Sequence, residues 1–222
     1  MVYMEAIEKR HTVRQYQNKE LPLAVIEQLN KRITKLNREY GINISLMTNN
    51  TEAFGPIMKL IRTKGVRNYL VLAGKDEAVI DEKLGYCGTD LMLLAQTLGL
   101  NSWWVGGTFK REKVAKIVGI KADEHIIGII ALGYGTNQGK AHKSKDIGEV
   151  AAYRGEMPTW FIKGVKAALL APTALNHQAF KIVGEKNKVS ITCDNGVYTN
   201  VDLGIVKYHF EVGAGKESFE WK

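Results

Sequence analysis

Cysteine is nearly absent: Cys87 and Cys193 are the two in a chain of 222 residues, and neither stands among residues at metal-ligand spacing. Two thiols without a secretory context are more often buried than paired, so neither a disulfide nor a metal centre is expected. Proline occurs four times, and no apolar run approaches the roughly 20 residues that a membrane helix needs. The first ten residues carry Glu5 and Glu8 where a signal peptide would have its apolar region, so the expected location is the cytoplasm, away from any membrane. Acidic residues are in deficit, 23 against 31 Lys and Arg, which leaves a net charge of +8 and a pI near 9.3. That balance favours polyanions, either nucleic acid or an anionic cofactor. The basic stretch Gly139-Lys140-Ala141-His142-Lys143-Ser144-Lys145 has no interleaved aromatic residue and no nucleic-acid-binding motif, which makes it a solvated loop.

With 45% hydrophobic residues the chain is globular and long enough for one substantial core or two small ones. Met4, Ile7 and the stem of Arg10 fall at helical spacing. Pro22 opens a helix through about Leu36, with Leu23, Ile26, Leu29, Ile33 and Leu36 as its buried stripe. Residues 40–63 read as irregular, with an apolar patch over 54–61 that could lie over a ligand site. Beyond them the pattern gives a buried strand over 68–74 and a long helix over 76–99 capped by Gly99. Trp103-Trp104-Val105 is a short strand ahead of Gly106-Gly107, followed by a helix over 110–118 and a central strand over 125–134. From Tyr153 the plan starts again: Pro158, a helix, a hairpin around Glu185-Lys186-Asn187, and a final helix over 200–212.

Three stretches carry chemistry. In Arg10-His11-Thr12-Val13-Arg14, an extended backbone places Arg10, Thr12 and Arg14 on one face, two guanidinium forks around a hydroxyl, which suits a phosphate monoester. A solvated basic strand is an equal reading of the same residues. In Gly106-Gly107 the missing side chains would let backbone approach a planar ring. In Ala171-Pro172-Thr173-Ala174-Leu175-Asn176-His177-Gln178 a proline stops a helix, and short polar side chains can face one flat ligand edge, although this is also ordinary turn chemistry.

Together these stretches resemble the nitroreductase family of FMN-dependent oxidoreductases, with its Arg-x-Ser-x-Arg phosphate clamp, its Ala-Pro-Ser-x-x-Asn-x-Gln elbow and its Gly-containing flavin edge. The resemblance implies an α+β nitroreductase-like fold. Arg10, Thr12 and Arg14, with His11 beside them, would hold the FMN phosphate, Thr12 standing where the family usually has Ser. Pro172, Thr173, Ala174 and Asn176 would contact the ring or ribityl chain, with Gln178 in the same site or supporting the elbow. Gly106 and Gly107 would approach the ring, and Lys140, Lys143 or Lys145 would add phosphate charge. The implied activity is ping-pong transfer from NADH or NADPH to a nitroaromatic or quinone-like acceptor, with no nucleic-acid partner. A flavin-binding scaffold with another task and a basic nucleic-acid-binding protein are the alternatives.

The elbow departs from the family by lying far downstream of the clamp. A degenerate internal duplication explains this, with a first unit over residues 1–150 and a smaller second unit over 151–222, so that one chain mimics the family homodimer. The first unit keeps the clamp and has Thr34-Lys35-Leu36-Asn37 where its own elbow would fall. The second keeps the elbow and has only Tyr153-Arg154 for a clamp. One flavin per chain, in a monomer or weak homodimer, is the expectation.

Overall fold

The computed structural model describes residues 2–56, 58 and 63–222. Helix α1 (Tyr3–Lys9) is followed by an extended segment and by α2 (Leu23–Tyr40), which Pro22 caps at its start and Gly41, at φ +66, stops. The helix therefore outruns its predicted end, and Thr34-Lys35-Leu36-Asn37 is helical. Next comes β1 (Asn43–Met47), a strand within the stretch predicted to be irregular. Of the apolar patch over 54–61, Phe54 is buried, whereas residues 57 and 59–61 lie outside the described residues. The chain continues with β2 (Asn68–Lys75), α3 (Ile80–Thr97), β3 (Asn101–Val105), α4 (Arg111–Val118) and β4 (Glu124–Gly133).

These strands form an antiparallel sheet in the order β1-β2-β4-β3. Side chains of a strand alternate between faces, so an all-apolar strand must be covered on both. In β2, Leu70 and Leu72 enter the core shared with α2 and α3, while Tyr69, Val71 and Ala73 pack on the opposite side with Phe54, Trp103 and Val114. β4 divides in the same way, Ile130 and Leu132 against Ile129 and Ala131.

The remainder of the chain contains α5 (Ile147–Val150), β5 (Ala151–Arg154), α6 (Thr159–Ala168), the hairpin β6 (Phe180–Glu185) and β7 (Lys188–Cys193), α7 (Thr199–Ala214) and β8 (Glu220–Trp221). Its sheet runs β5-β6-β7-β8, with parallel pairing at both edges. Pro158 caps α6 as Pro22 caps α2.

α3 packs on α7, and glycine makes the contact close. A Cβ on Gly85 would stand 2.2 Å from the Val201 carbonyl oxygen, and a Cβ on Gly204 would stand 2.0 Å from that of Glu82. The contact is reciprocal: Glu82 is to Gly85 as Val201 is to Gly204, and the same sequence offset carries β2 onto β7, α3 onto α7 and β3 onto β8. Two copies of one surface meeting across a two-fold axis make contacts of this kind.

Candidate active site

Where α1 ends, Arg10 turns into extended backbone. Thr12 bridges Ser102 of β3 in parallel, and the Val13 N–H donates to the Ser102 carbonyl at 3.0 Å. Val13 enters the core, which leaves Thr12 and Arg14 on the other side of the segment. All three clamp residues, together with His11, line a cleft of about 850 Å³. Arg14 lies 5.4 Å from the Trp103 ring centroid, and Trp103 stacks on Phe54.

Arg10 is the unusual member. It is buried, and its Nε–H finds no acceptor among the described residues. Burial pushes its pKa down to about 10, with the nearby Tyr16 acting in the opposite direction. Leaving a cation in this condition is costly unless an anion arrives. His142 lines the same cleft and has a buried, unpartnered Nε2, its Nδ1 being 3.2 Å from the Lys143 carbonyl oxygen. Lys140 lines it too.

The far wall comes from the second unit. After α6 the chain passes Pro172 and Thr173 into a single 3-10 turn, Ala174–Asn176, in which Leu175, Asn176 and nearby Gln178 have φ of 51, 57 and 46. Left-handed backbone costs a non-glycine residue about 1–2 kcal/mol, so side-chain bonds must hold it. Gln178 N–H donates to Thr173 Oγ1 at 3.1 Å, and Asn176 Nδ2 and Gln178 Nε2 both donate to the Lys143 carbonyl, at 3.0 and 2.9 Å. Both oxygens of Asp202, in the first turn of α7, accept the Ala174 N–H at 2.9 and 3.1 Å. Burial pushes the Asp202 carboxyl up to about 6 despite that bond.

Pro172, Thr173, Ala174 and Asn176 therefore share one cleft with Arg10, His11, Thr12 and Arg14 of the same chain. Lys143 takes a different place from the one predicted, and Gln178 takes the second of its two. The Lys143 side chain does not line the cleft; its carbonyl anchors the elbow instead, and among the basic-loop residues Lys140 and His142 face the site. Gln178 is buried behind the elbow, bonded to Lys143 and Lys145, and acts as its support. Lys145 donates from Nζ to the Gln178 carbonyl at 3.0 Å.

Gly106 and Gly107 line the cleft as expected, for an additional reason. A Cβ on Gly106 would stand 2.6 Å from the ring of Tyr198, which reaches over from the second unit. Tyr198 and Asp202 had no sequence signal as site residues. The first lies in an Asp-Asn-Gly-Val-Tyr stretch that reads as a turn, and the second in a helix start. Of the two tryptophans that could stack on a nucleobase, Trp103 is buried in the sheet under Phe54 and Arg14, and Trp104 is half-buried on the wall of the cleft.

The fold is matched by solved structures. The structure aligns with that of a "putative nitroreductase" from Thermotoga maritima at TM-score 0.72 and 22% identity, over 98% of this chain and 85% of that one. An "FMN-dependent Nitroreductase" from Clostridium difficile aligns at 0.53 and 17% identity, over 65% of this chain and 95% of that one. A nitroreductase family protein from Streptococcus pneumoniae aligns at 0.56 and 12% identity, over 68% and 100%. At such identities these likenesses show the fold. No curated protein matches the chain. The family described as "Putative TM nitroreductase" matches residues 3–214, nearly end to end, and the chain belongs to that family of oxidoreductases.

Proposed function

We propose that the chain is an FMN-dependent oxidoreductase taking electrons from NADH or NADPH and passing them to a small flat acceptor of the nitroaromatic or quinone class. The observation that carries this reading is Arg10, a buried guanidinium without an anionic partner, set in a cleft that also gathers Arg14, Lys140 and His142. Asp202 is the one carboxylate lining that cleft among the described residues. A phosphate monoester supplies the charge this set lacks, and charge-assisted bonds from a guanidinium fork are among the stronger ones available. The cleft volume is within the range of cofactor sites.

Bound there, FMN would supply hydride chemistry, oxidising the nicotinamide and then reducing the acceptor in alternation. The chain's own part is binding and orientation. Arg10, Thr12 and Arg14 hold the phosphate end, the Pro172 to Asn176 elbow presents backbone and short polar groups, and Gln178 with the Lys143 carbonyl keeps the elbow in its left-handed form. The open segment beside Gly106 and Gly107 is where donor and acceptor would come in turn.

One chain completes this site. About two thirds of it spans nearly the whole of the Clostridium and Streptococcus chains, a share close to that of a first unit over residues 1–150 beside a smaller second unit over 151–222. The reciprocal glycine contact supports a duplication. The positions that would form a second site are committed elsewhere: α2 runs through the missing elbow, and Arg154 is paired with Glu185 at 2.9 Å. Titration of the metal-free, flavin-free chain with FMN, followed by fluorescence quenching, should reach saturation at one flavin per chain. Anaerobic NADH or NADPH should bleach the bound flavin, and a nitroaromatic should restore its colour. FMN bound but bleached by neither nicotinamide would favour the scaffold alternative, and absence of FMN binding would end the flavin reading.

A further inference from the structure

Leu175 combines three properties that rarely coincide. It has left-handed backbone at φ 51, it is 91% exposed, and it lines the cleft. An exposed leucine alone means little. One held in a conformation that disfavours a branched, non-glycine side chain, at a position where it covers no core, contributes nothing to the folded chain by itself. Local strain of this kind collects where a ligand is met.

Tyr198 also lines the cleft, its hydroxyl end lying over Gly106 and Gly107. That hydroxyl has no hydrogen-bond partner among the described residues. The two side chains belong to one wall. The Asp202 N–H donates to the Tyr198 carbonyl at 2.8 Å, and the Asp202 carboxylate accepts the Ala174 N–H beside Leu175. Asp202 thereby fixes the Leu175 turn and the Tyr198 turn to a single helix start.

We infer that Leu175 and Tyr198 form the acceptor subsite and set its specificity: Leu175 offers an apolar surface to a flat conjugated ring, and the Tyr198 hydroxyl donates to an oxygen carried by that ring, as in a nitro group or a quinone carbonyl. The inference rests on the FMN reading above. It explains the glycine at 106 as room for a phenol ring that itself faces the ligand, and it assigns to the second unit a task beyond supplying the elbow.

The test uses the full chain loaded with FMN, oxidised and without any electron donor, so that binding is read apart from turnover. Two neutral probes, 4-nitrobenzyl alcohol and benzyl alcohol, are titrated while the flavin absorbance is followed. Leu175→Asn keeps a residue that tolerates left-handed backbone and removes the apolar surface; both probes should bind about tenfold more weakly. Tyr198→Phe keeps the ring and removes the donor; it should weaken 4-nitrobenzyl alcohol about fivefold and leave benzyl alcohol unchanged. In each variant FMN affinity should fall less than probe affinity. Probe affinities within about twofold of wild type in both variants, with FMN still bound, would overturn the subsite alone. A wild-type chain that takes up no FMN would overturn the flavin reading and the subsite with it.

Discussion

Two arginines, Arg32 half-buried and Arg10 buried, mark regions of opposite character in the molecule. Arg32, on α2, donates from Nε to Asp90 Oδ1 of α3 at 2.6 Å and from Nη2 to Oδ2, and Tyr208 of α7 donates to the same carboxylate at 2.7 Å. Around it, Tyr86 and Lys216 both bond to Glu211, so the two buried carboxylates of the pocket of about 340 Å³ between α2, α3 and α7, Asp90 and Glu211, are paired within the chain. Arg10, across the molecule, has no such partner. Where structure is the purpose, the chain supplies its own counter-ion. Where a ligand is awaited, it leaves the charge open.

The comparison can be broken first at its stable end. Arg32→Ala would leave Asp90, whose side chain is 3% exposed, with Tyr208 as its donor; because Arg32 is itself 31% exposed, the cost should be about 3 kcal/mol, the low end for breaking a buried pair. Urea unfolding of the flavin-free protein should show the loss in full. The matching change at the open end, Arg10→Met, should leave unfolding of the flavin-free protein unchanged or make it harder, because a lone buried cation is removed. The same change should weaken FMN binding by about one to two decades, the worth of a charge-assisted bond of roughly 1.5–3 kcal/mol. Equal stability losses in the two variants would erase the distinction.

The smallest expected effect sharpens it through pH. Asp202 holds its proton up to about pH 6 in the folded chain, whereas an unfolded aspartate releases it near 4. The native state thus binds more protons between these values, so this group's contribution to stability increases as pH falls from about 6 toward 4 and is constant above that window. Asp202→Asn keeps an oxygen for the Ala174 N–H and should remove that share of the slope. Thermal midpoints of both proteins from pH 4 to 7 measure it; parallel curves would mean that Asp202 titrates normally.

What could be read from the sequence follows from how strongly each segment is patterned. β2 and β4 are continuous apolar runs and α3 a long helix ended by Gly99, so burial alone identifies them. The stretches Arg10 to Arg14 and Pro172 to Gln178 stood out by residue type, and the fold brings residues of both to one cleft. β1 was missed because Asn43 and Ser45 break its apolar run and its place is the sheet edge, where pairing to β2 supplies what propensity does not. The elbow's left-handed residues carry no local signal at Leu175; Lys143, Lys145 and Asp202 impose that conformation from far along the chain. Tyr198 was hidden for the same reason, since only the fold brings it to Gly106.

The reciprocal contact of Gly85 and Gly204 has a mechanical consequence. Arg10 and Gly106 belong to one unit, the elbow and Tyr198 to the other, and the spacing of α3 and α7 is the gauge that fixes how far apart those walls stand. Because backbone rests on backbone there, no side-chain rotamer can adjust the gap. A single methyl group, as in Gly85→Ala, would meet the Val201 carbonyl and must prise the helices apart, at a cost of about 1–3 kcal/mol in unfolding free energy. The cleft, whose wall includes Val201 itself, would open with them, so a ligand bridging both walls should feel a substitution at Gly85, which does not line it.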